Sequence, residues 1–437
     1  MAAMRCITGR RRHRAMDHLR LVARLARGCY LLTGAGERAL QPSARADENR
    51  MLDASARSDT LIDGETIRDR RLDFIRGVCL WMVFLDHIPT DVANLITLRN
   101  YAFCDAADVF VFISGVAGAI GYGAIARNSG FTAATIRIVR RAWQIYLAQL
   151  VLVLVLFAEI VWLGGGLERY THEMNIGPLL NTPGPAAIWT VILEYHPVNT
   201  DVFPAMVLLR LMFPLVLWLM FTRPTAALAA SFVIYAICYG LRLNIPTLPR
   251  GDWYFNPFTW QLLVVLGAWW ALEGVRRFSD VITSRGALVA AFAIVAVSAL
   301  LVVGHRIHDA SDVPPNWLEQ MIFPVDKTNL SFSRVVNLVA LVIIAERYIQ
   351  PDASMLRSKL ACLAIKCGEY PLELFSLSVL LSFAMHVVLV DVHEAIPMQI
   401  ALSIAGIVIM TCVGVALSWA ASKGRYWKSQ TVRSTPS

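Results

Sequence analysis

Arg76 and His87 stand eleven residues apart in the apolar stretch RLDFIRGVCLWMVFLDHIP. On a helix that is about three turns, so both fall on one face, roughly 16 Å apart along the axis. The imidazole is a proton acceptor near neutral pH, and the guanidinium is an anchor for an anion. Asp73 lies at the Arg76 end, and Asp86 adjoins His87. A snorkelling arginine and an interfacial histidine are the plain structural alternative. Further polar groups recur at the edges of later apolar stretches. Asp105 and Asp108 open RNYAFCDAADVFVFISGVAGAIGYG and share one face. The helix dipole accounts for one carboxylate there better than for two. Asn199 and Asp201 lie in HPVNTDVFP, where Asp201 also suits a helix N-cap. Asn256 and Gln261 lie in DWYFNPFTWQ, whose aromatics also fit a membrane-interface belt. Asp326, Lys327 and Arg334 lie in PVDKTNLSFSR, and Glu373 and His386 bracket PLELFSLSVLLSFAMHVVL. Ionisable groups in such surroundings are costly and mark a cavity or a partner.

The elements that must carry these groups are membrane helices. Of 437 residues, 57% are hydrophobic and only 16% charged, against about 45–50% and about 25% in a soluble domain. A single water-soluble domain is excluded. The +8 charge does not signal nucleic-acid binding, because residues 1–71 hold 15 Arg and no Lys and the remainder is close to neutral. The eight cysteines show no zinc-ligand or CxxC spacing and read as small hydrophobes, with no metal expected. Ten apolar runs have the length of a spanning helix: 72–89, 109–126, 142–163, 202–221, 225–241, 258–274, 286–304, 334–350, 372–390 and 398–420. Gly115, Gly118, Gly121 and Gly123 make the second a narrow helix suited to close packing. Arg and Lys concentrate in alternate loops, at 127–141, 222–224, 275–285, 347–371 and the C-terminal tail. The positive-inside rule then predicts an all-α, polytopic membrane protein with about ten spans and both termini in the cytoplasm. Residues 1–70 read as a basic, disordered cytoplasmic extension with a possible lipid-binding helix, 71–422 as the membrane domain, and 423–437 as a tail. By this topology Asp86, His87, Asp105, Asp108, Asn199, Asp201, Asn256, Asp326, Lys327, Arg334 and His386 gather near the outer face. Asp73, Arg76 and Glu373 mark an inner mouth.

RLDFIRGVCLWMVFLDHIP, RNYAFCDAADVFVFISG, HPVNTDVFP, WYFNPFTWQ, DKTNLSFSR and PLELFSLSVLLSF resemble, in order, the successive blocks of the OpgC family. That family is similar in logic to the acyltransferase-three membrane enzymes. The resemblance covers about residues 70–425. It implies a bacterial inner-membrane enzyme that succinylates osmoregulated periplasmic glucans, with cytoplasmic acyl-CoA, succinyl-CoA in particular, as donor. The partners implied are the periplasmic glucan and membrane lipid. One position departs: the family pattern has His where this chain has Asn337. That position is therefore not expected to act in catalysis, or this member differs in donor or acceptor.

Acyl transfer to a hydroxyl needs a base, an oxyanion stabiliser and a held thioester. The residues assign the base to His87, with Asp86 beside it in the catalytic group. Adjacent helical residues do not face one another, so Asp105, Asp108 or Asp201 suits the carboxylate that orients His87 better than Asp86 does. Lys327, Arg334 or Asn199 suits the oxyanion. Arg76 suits a polar part of the CoA arm, and Asn256 and Asp326 complete the expected substrate-binding set. A transporter or glycan exporter is the competing class, and an acetyl rather than succinyl donor is the variant within the first. Reporter enzymes fused into the 164–201 and 347–371 loops should report opposite sides of the membrane. Equal activity from both fusions would overturn the predicted topology.

Overall fold

The computed structural model describes residues 69–89, 91–163, 167–306, 317, 322–391 and 395–433. The basic extension predicted for residues 1–70 lies outside the described residues except for its last two. The described chain is helical, apart from an isolated β-bridge between Pro246 and Asp252. Ten long helices are α1 (Arg70–Asp86), α2 (Ala106–Ser129), α3 (Phe131–Leu163), α4 (Val202–Thr222), α5 (Pro224–Gly240), α6 (Pro257–Trp269), α7 (Arg285–Arg306), α8 (Phe332–Tyr348), α9 (Pro371–Asp391) and α10 (Ile396–Arg433). A π-helical turn, Trp270–Gly274, carries α6 on to Arg277. Each of the ten predicted spans falls on one of these helices. Seven are long and apolar enough to cross a membrane, counting α6 through Arg277. α5 is apolar but has 17 residues. α1 and α8 also have 17 residues and carry charges along their length.

Local chemistry sets the helix starts. Asp69 accepts a hydrogen bond from the Arg71 backbone N–H and caps α1. Asp105 and Asp108 form a reciprocal capping box at α2. Asn256 caps α6, with Pro257 at the first helical position, where its missing N–H costs nothing. Gly130, at φ 90°, closes α2 immediately before α3 begins.

Apolar burial drives little association between helices already in lipid, so close packing at small residues has to do more of that work. Two reciprocal glycine contacts supply it. Gly115 of α2 lies against the Val264 carbonyl of α6, while Gly267 of α6 lies against the Phe112 carbonyl of α2. Gly77 of α1 lies against the Ala364 carbonyl of the short helix Lys359–Gly368, and Gly368 returns the contact at the Asp73 carbonyl. Of the four glycines expected to narrow α2, Gly115 does so against another backbone. Gly118 lies beneath the Phe213 and Arg210 side chains, Gly123 makes ordinary contacts, and Gly121 meets nothing within 4 Å. Around these pairs, α2 also packs on α1 and α3, α4 packs on α3 and α6, and α9 packs between α1 and α10.

Gly267→Val should separate α2 from α6 and cost about 1–3 kcal/mol, the usual range for overpacking. Gly286→Ala, at a position with nothing within 4 Å, should be neutral. Thermal unfolding of both variants in detergent checks this. Equal melting of Gly267→Val and wild type would show that the close approach is not required.

Candidate functional site

The loop that follows α1 returns to start α2 beside its end, and this brings the first group of polar residues together. The Asp105 side chain accepts from the Ala107 N–H at 2.8 Å, and Asp108 accepts from the Asp105 N–H at 2.7 Å. Arg334, from the first turn of α8, reaches into this cap. Its Nη2 lies 2.5 Å from Asp108 and 3.0 Å from Asp105, its Nε 3.3 Å from Asp108, and its Nη1 donates to the Phe103 carbonyl at 3.0 Å. Lys327 Nζ completes the cluster, 2.7 Å from Asp105. Two carboxylates and two cations thus sit together, with Asp108 wholly buried and Arg334 5% exposed. Burial disfavours the charged Asp105, yet Lys327 and Arg334 outweigh it and hold the carboxyl below its ordinary range. Burial likewise disfavours the Lys327 ammonium, and Asp105 outweighs it and holds the pKa above the ordinary lysine value. The pair therefore persists through neutral pH. It is lost only in acid, as Asp105 protonates, or in strong alkali, as Lys327 loses its proton.

Lys327 is placed by its own backbone. The Lys327 and Thr328 carbonyls accept from the Trp260 indole N–H at 3.1 and 3.2 Å, and the Leu330 carbonyl accepts from the Tyr235 hydroxyl at 2.8 Å. The ammonium lies over the Tyr254 and Phe255 rings, at 5.6 and 5.4 Å from their centroids.

Above this cluster opens a cavity of about 690 Å3. Its walls include Asp86, His87, Arg99, Asp105, Asn199, Asp201, Lys327 and Arg334. Seven of the eleven residues expected at one face therefore line one cavity. His87 ends α1, packs edge-on to the Phe375 ring at 6.1 Å, and leaves its Nδ1 buried with no hydrogen-bond partner among the described residues. Asp86 accepts from the Thr97 hydroxyl at 2.6 Å, with Arg99 3.9 Å away. Asn199 holds a left-handed backbone, φ 69°, which asparagine tolerates.

Several residues have duties other than those expected. Asp105 and Asp108 bind Arg334 and Lys327 rather than orienting His87. Asp201 binds His196 Nδ1 at 2.9 Å. Arg334 has its guanidinium engaged by two carboxylates and a carbonyl. Asn256 is fully buried outside the cavity, because its side chain caps α6 and donates to the Leu243 carbonyl and Asn329 at 2.7 and 2.9 Å. Asp326 is held by Asn329, at 3.0 Å from its N–H and 2.8 Å from its Nδ2, and does not line the cavity. His386 pairs with Glu173 at 3.1 Å. Asn337 is buried in a polar bridge, donating to Ser298 at 2.8 Å and accepting from the Cys104 thiol at 3.1 Å.

A second cavity, about 350 Å3, opens toward the other end of α1. Arg76, 3.2 Å from Asp73, lines it with Arg141, Arg210 and Glu369. The exposed Glu373 does not line it. Phe110, Val202 and Phe375 belong to the walls of both cavities. Phe375 also packs edge-on to Phe203 at 5.2 Å, so an aromatic partition separates the two. Arg210 and the His196–Asp201 pair escaped the sequence reading. A lone arginine deep in the apolar run 202–221 was the available signal for the first. Nothing in the spacing signalled the second.

These features define a membrane protein, helical through its described residues apart from one β-bridge, with two adjoining cavities whose apolar walls carry charged side chains. The OpgC protein family profile matches residues 68–422, and the chain belongs to that family. Membership implies an acyltransferase. Comparisons with curated proteins and with solved structures give no match.

Arg334→Met should strand two buried carboxylates and destabilise the protein by about 3–5 kcal/mol. Adding Asp108→Asn should recover part of that loss. Melting curves in detergent read both effects, and an unshifted Arg334→Met curve would mean that the cluster does not hold α8 to α2.

Proposed function

We propose that this protein is a bacterial inner-membrane O-acyltransferase. It moves a succinyl group from cytoplasmic acyl-CoA to hydroxyls of a periplasmic glucan, with ten spans and both termini in the cytoplasm. The observation that carries the reading is the pair of cavities meeting at Phe375, with His87 on one side and arginines on the other. Such a division suits a reaction whose donor and acceptor never share a compartment. In this reading the Arg76 cavity faces the cytoplasm, and the thioester end of the donor passes Phe375 to reach His87.

The chemistry follows from the residues around the outer cavity. His87 removes the proton of a sugar hydroxyl as its oxygen attacks the thioester carbonyl. The tetrahedral oxyanion forms near Lys327, whose ammonium still faces the cavity while paired to Asp105, or near the Asn199 amide. Collapse breaks the C–S bond, and the imidazolium returns its proton to the departing thiolate. Asp86 fixes the loop at Thr97 beside the base. The Phe375 ring, packed edge-on against His87, limits the access of bulk water to the base.

His87→Ala should lower acyl transfer by a factor of at least about 100, the lower range for general-base contributions, while the protein still reaches the membrane folded. Near-wild-type transfer in that variant would remove His87 from the mechanism. Deleting the gene and weighing the periplasmic glycans tests the reaction itself. Loss of one succinyl mass per substituent on an intact backbone supports the proposal, and loss of an acetyl mass changes the donor. Glycan of unchanged mass trapped in the cytoplasm would favour an exporter instead.

A further inference from the structure

Arg210 sits eight residues into α4, roughly 12 Å along the helix axis from Val202 at the shared partition. Loop arginines at the cytoplasmic ends of helices need no special account beyond the positive-inside rule. Arg210 does, because it is near the middle of an apolar helix. Its guanidinium lies over the Tyr122 and Phe213 rings, at 6.0 and 5.9 Å from their centroids, and over Gly118. It forms no ion pair or hydrogen bond among the described residues, and its Nε is buried without a partner. A half-buried cation near the middle of a membrane helix, with no carboxylate partner among the described residues, carries a desolvation cost that an anion supplied from outside the chain can offset.

The surrounding cavity is suited to such an anion. Arg76 and Arg141 line it as well, Arg141 engaged with Gln144 at 3.1 Å and with no carboxylate among the described residues. The one carboxylate in the lining, Glu369, is paired with Lys366 at 3.1 Å. Arg76 is already paired with Asp73 at 3.2 Å and adds positive charge to a space that Arg210 and Arg141 also line, and such a set favours an anion with several oxygens.

We infer that the cavity below Phe375 is a binding site for a phosphate-bearing ligand, with Arg210 as its innermost cation and Arg76 and Arg141 beside it. The identification of that ligand with the CoA part of the donor rests on the proposed function. The phosphate site itself does not. A phospholipid headgroup offers the same chemistry through the cavity mouth.

The test uses the full-length protein in nanodiscs, with CoA, pantetheine and inorganic pyrophosphate as probes. Wild-type protein should bind CoA at least about tenfold more tightly than pantetheine, since pantetheine lacks the phosphates and one charge-assisted contact is worth roughly that factor. Pyrophosphate should compete with CoA. Arg210→Gln should erase most of the difference between CoA and pantetheine, and Arg210→Lys should restore part of it. If wild-type protein binds CoA and pantetheine equally and retains no phospholipid, the site is overturned without recourse to any variant. Undiminished CoA binding by a folded Arg210→Gln protein would overturn the role of Arg210. A phospholipid seen by native mass spectrometry on wild type, lost from Arg210→Gln and not displaced by CoA, would support the site with lipid as its occupant. Absence of acyl transfer with phosphate-dependent CoA binding intact would strike the proposed reaction and leave this site standing.

Discussion

Arg334, held between Asp105 and Asp108, is the interaction on which the rest of the site depends. It joins α8 to the start of α2 across more than two hundred residues of sequence. The same two carboxylates cap α2, so one small group of atoms sets both where that helix begins and where α8 crosses it. Lys327 is then fixed by a carboxylate that is already committed. The cost of burying four charges is offset only because each has a partner at hydrogen-bond distance. Without that closure the loop before α8 would have no reason to present an ammonium to the cavity.

The sequence made the helices legible because each is written in a long apolar run, and a membrane leaves the backbone few other choices. Seven of the polar residues it singled out line one cavity, since alternating helices return alternate loops to the same end. What it could not supply was pairing. Asp105, Asp108 and Asp201 were all chemically fit to orient His87, yet each found a nearer cation or imidazole. Asn256 was legible as a polar residue near a helix start, but its capping role and its reach to Leu243 and Asn329 depend on how two loops meet. Arg210 was visible in principle as a charge in an apolar helix. Its meaning emerges only when no carboxylate among the described residues is found beside it.

Asn337 illustrates how one buried amide serves two partners. Its amide can donate and accept at once, and it does both, toward Ser298 and Cys104. The position ties α7, α8 and the approach to α2 into one polar bridge beneath the cavity wall. A titratable side chain is not needed for that task.

The partition at Phe375 has an electrical consequence. Under the proposed topology, cavities that enter from both ends would shorten the insulating part of the protein to the thickness of a few aromatic side chains. A transmembrane voltage then falls mainly across that septum instead of across the whole bilayer. Each elementary charge that passes it exchanges about 2.3 kcal/mol with every 100 mV of voltage. With the cytoplasm negative, an acyl group bearing a free carboxylate is driven outward by the field, whereas a neutral acyl group is not. Under the proposed reading, the cell's voltage would favour the outward passage of a dicarboxylic acyl group before any chemistry begins.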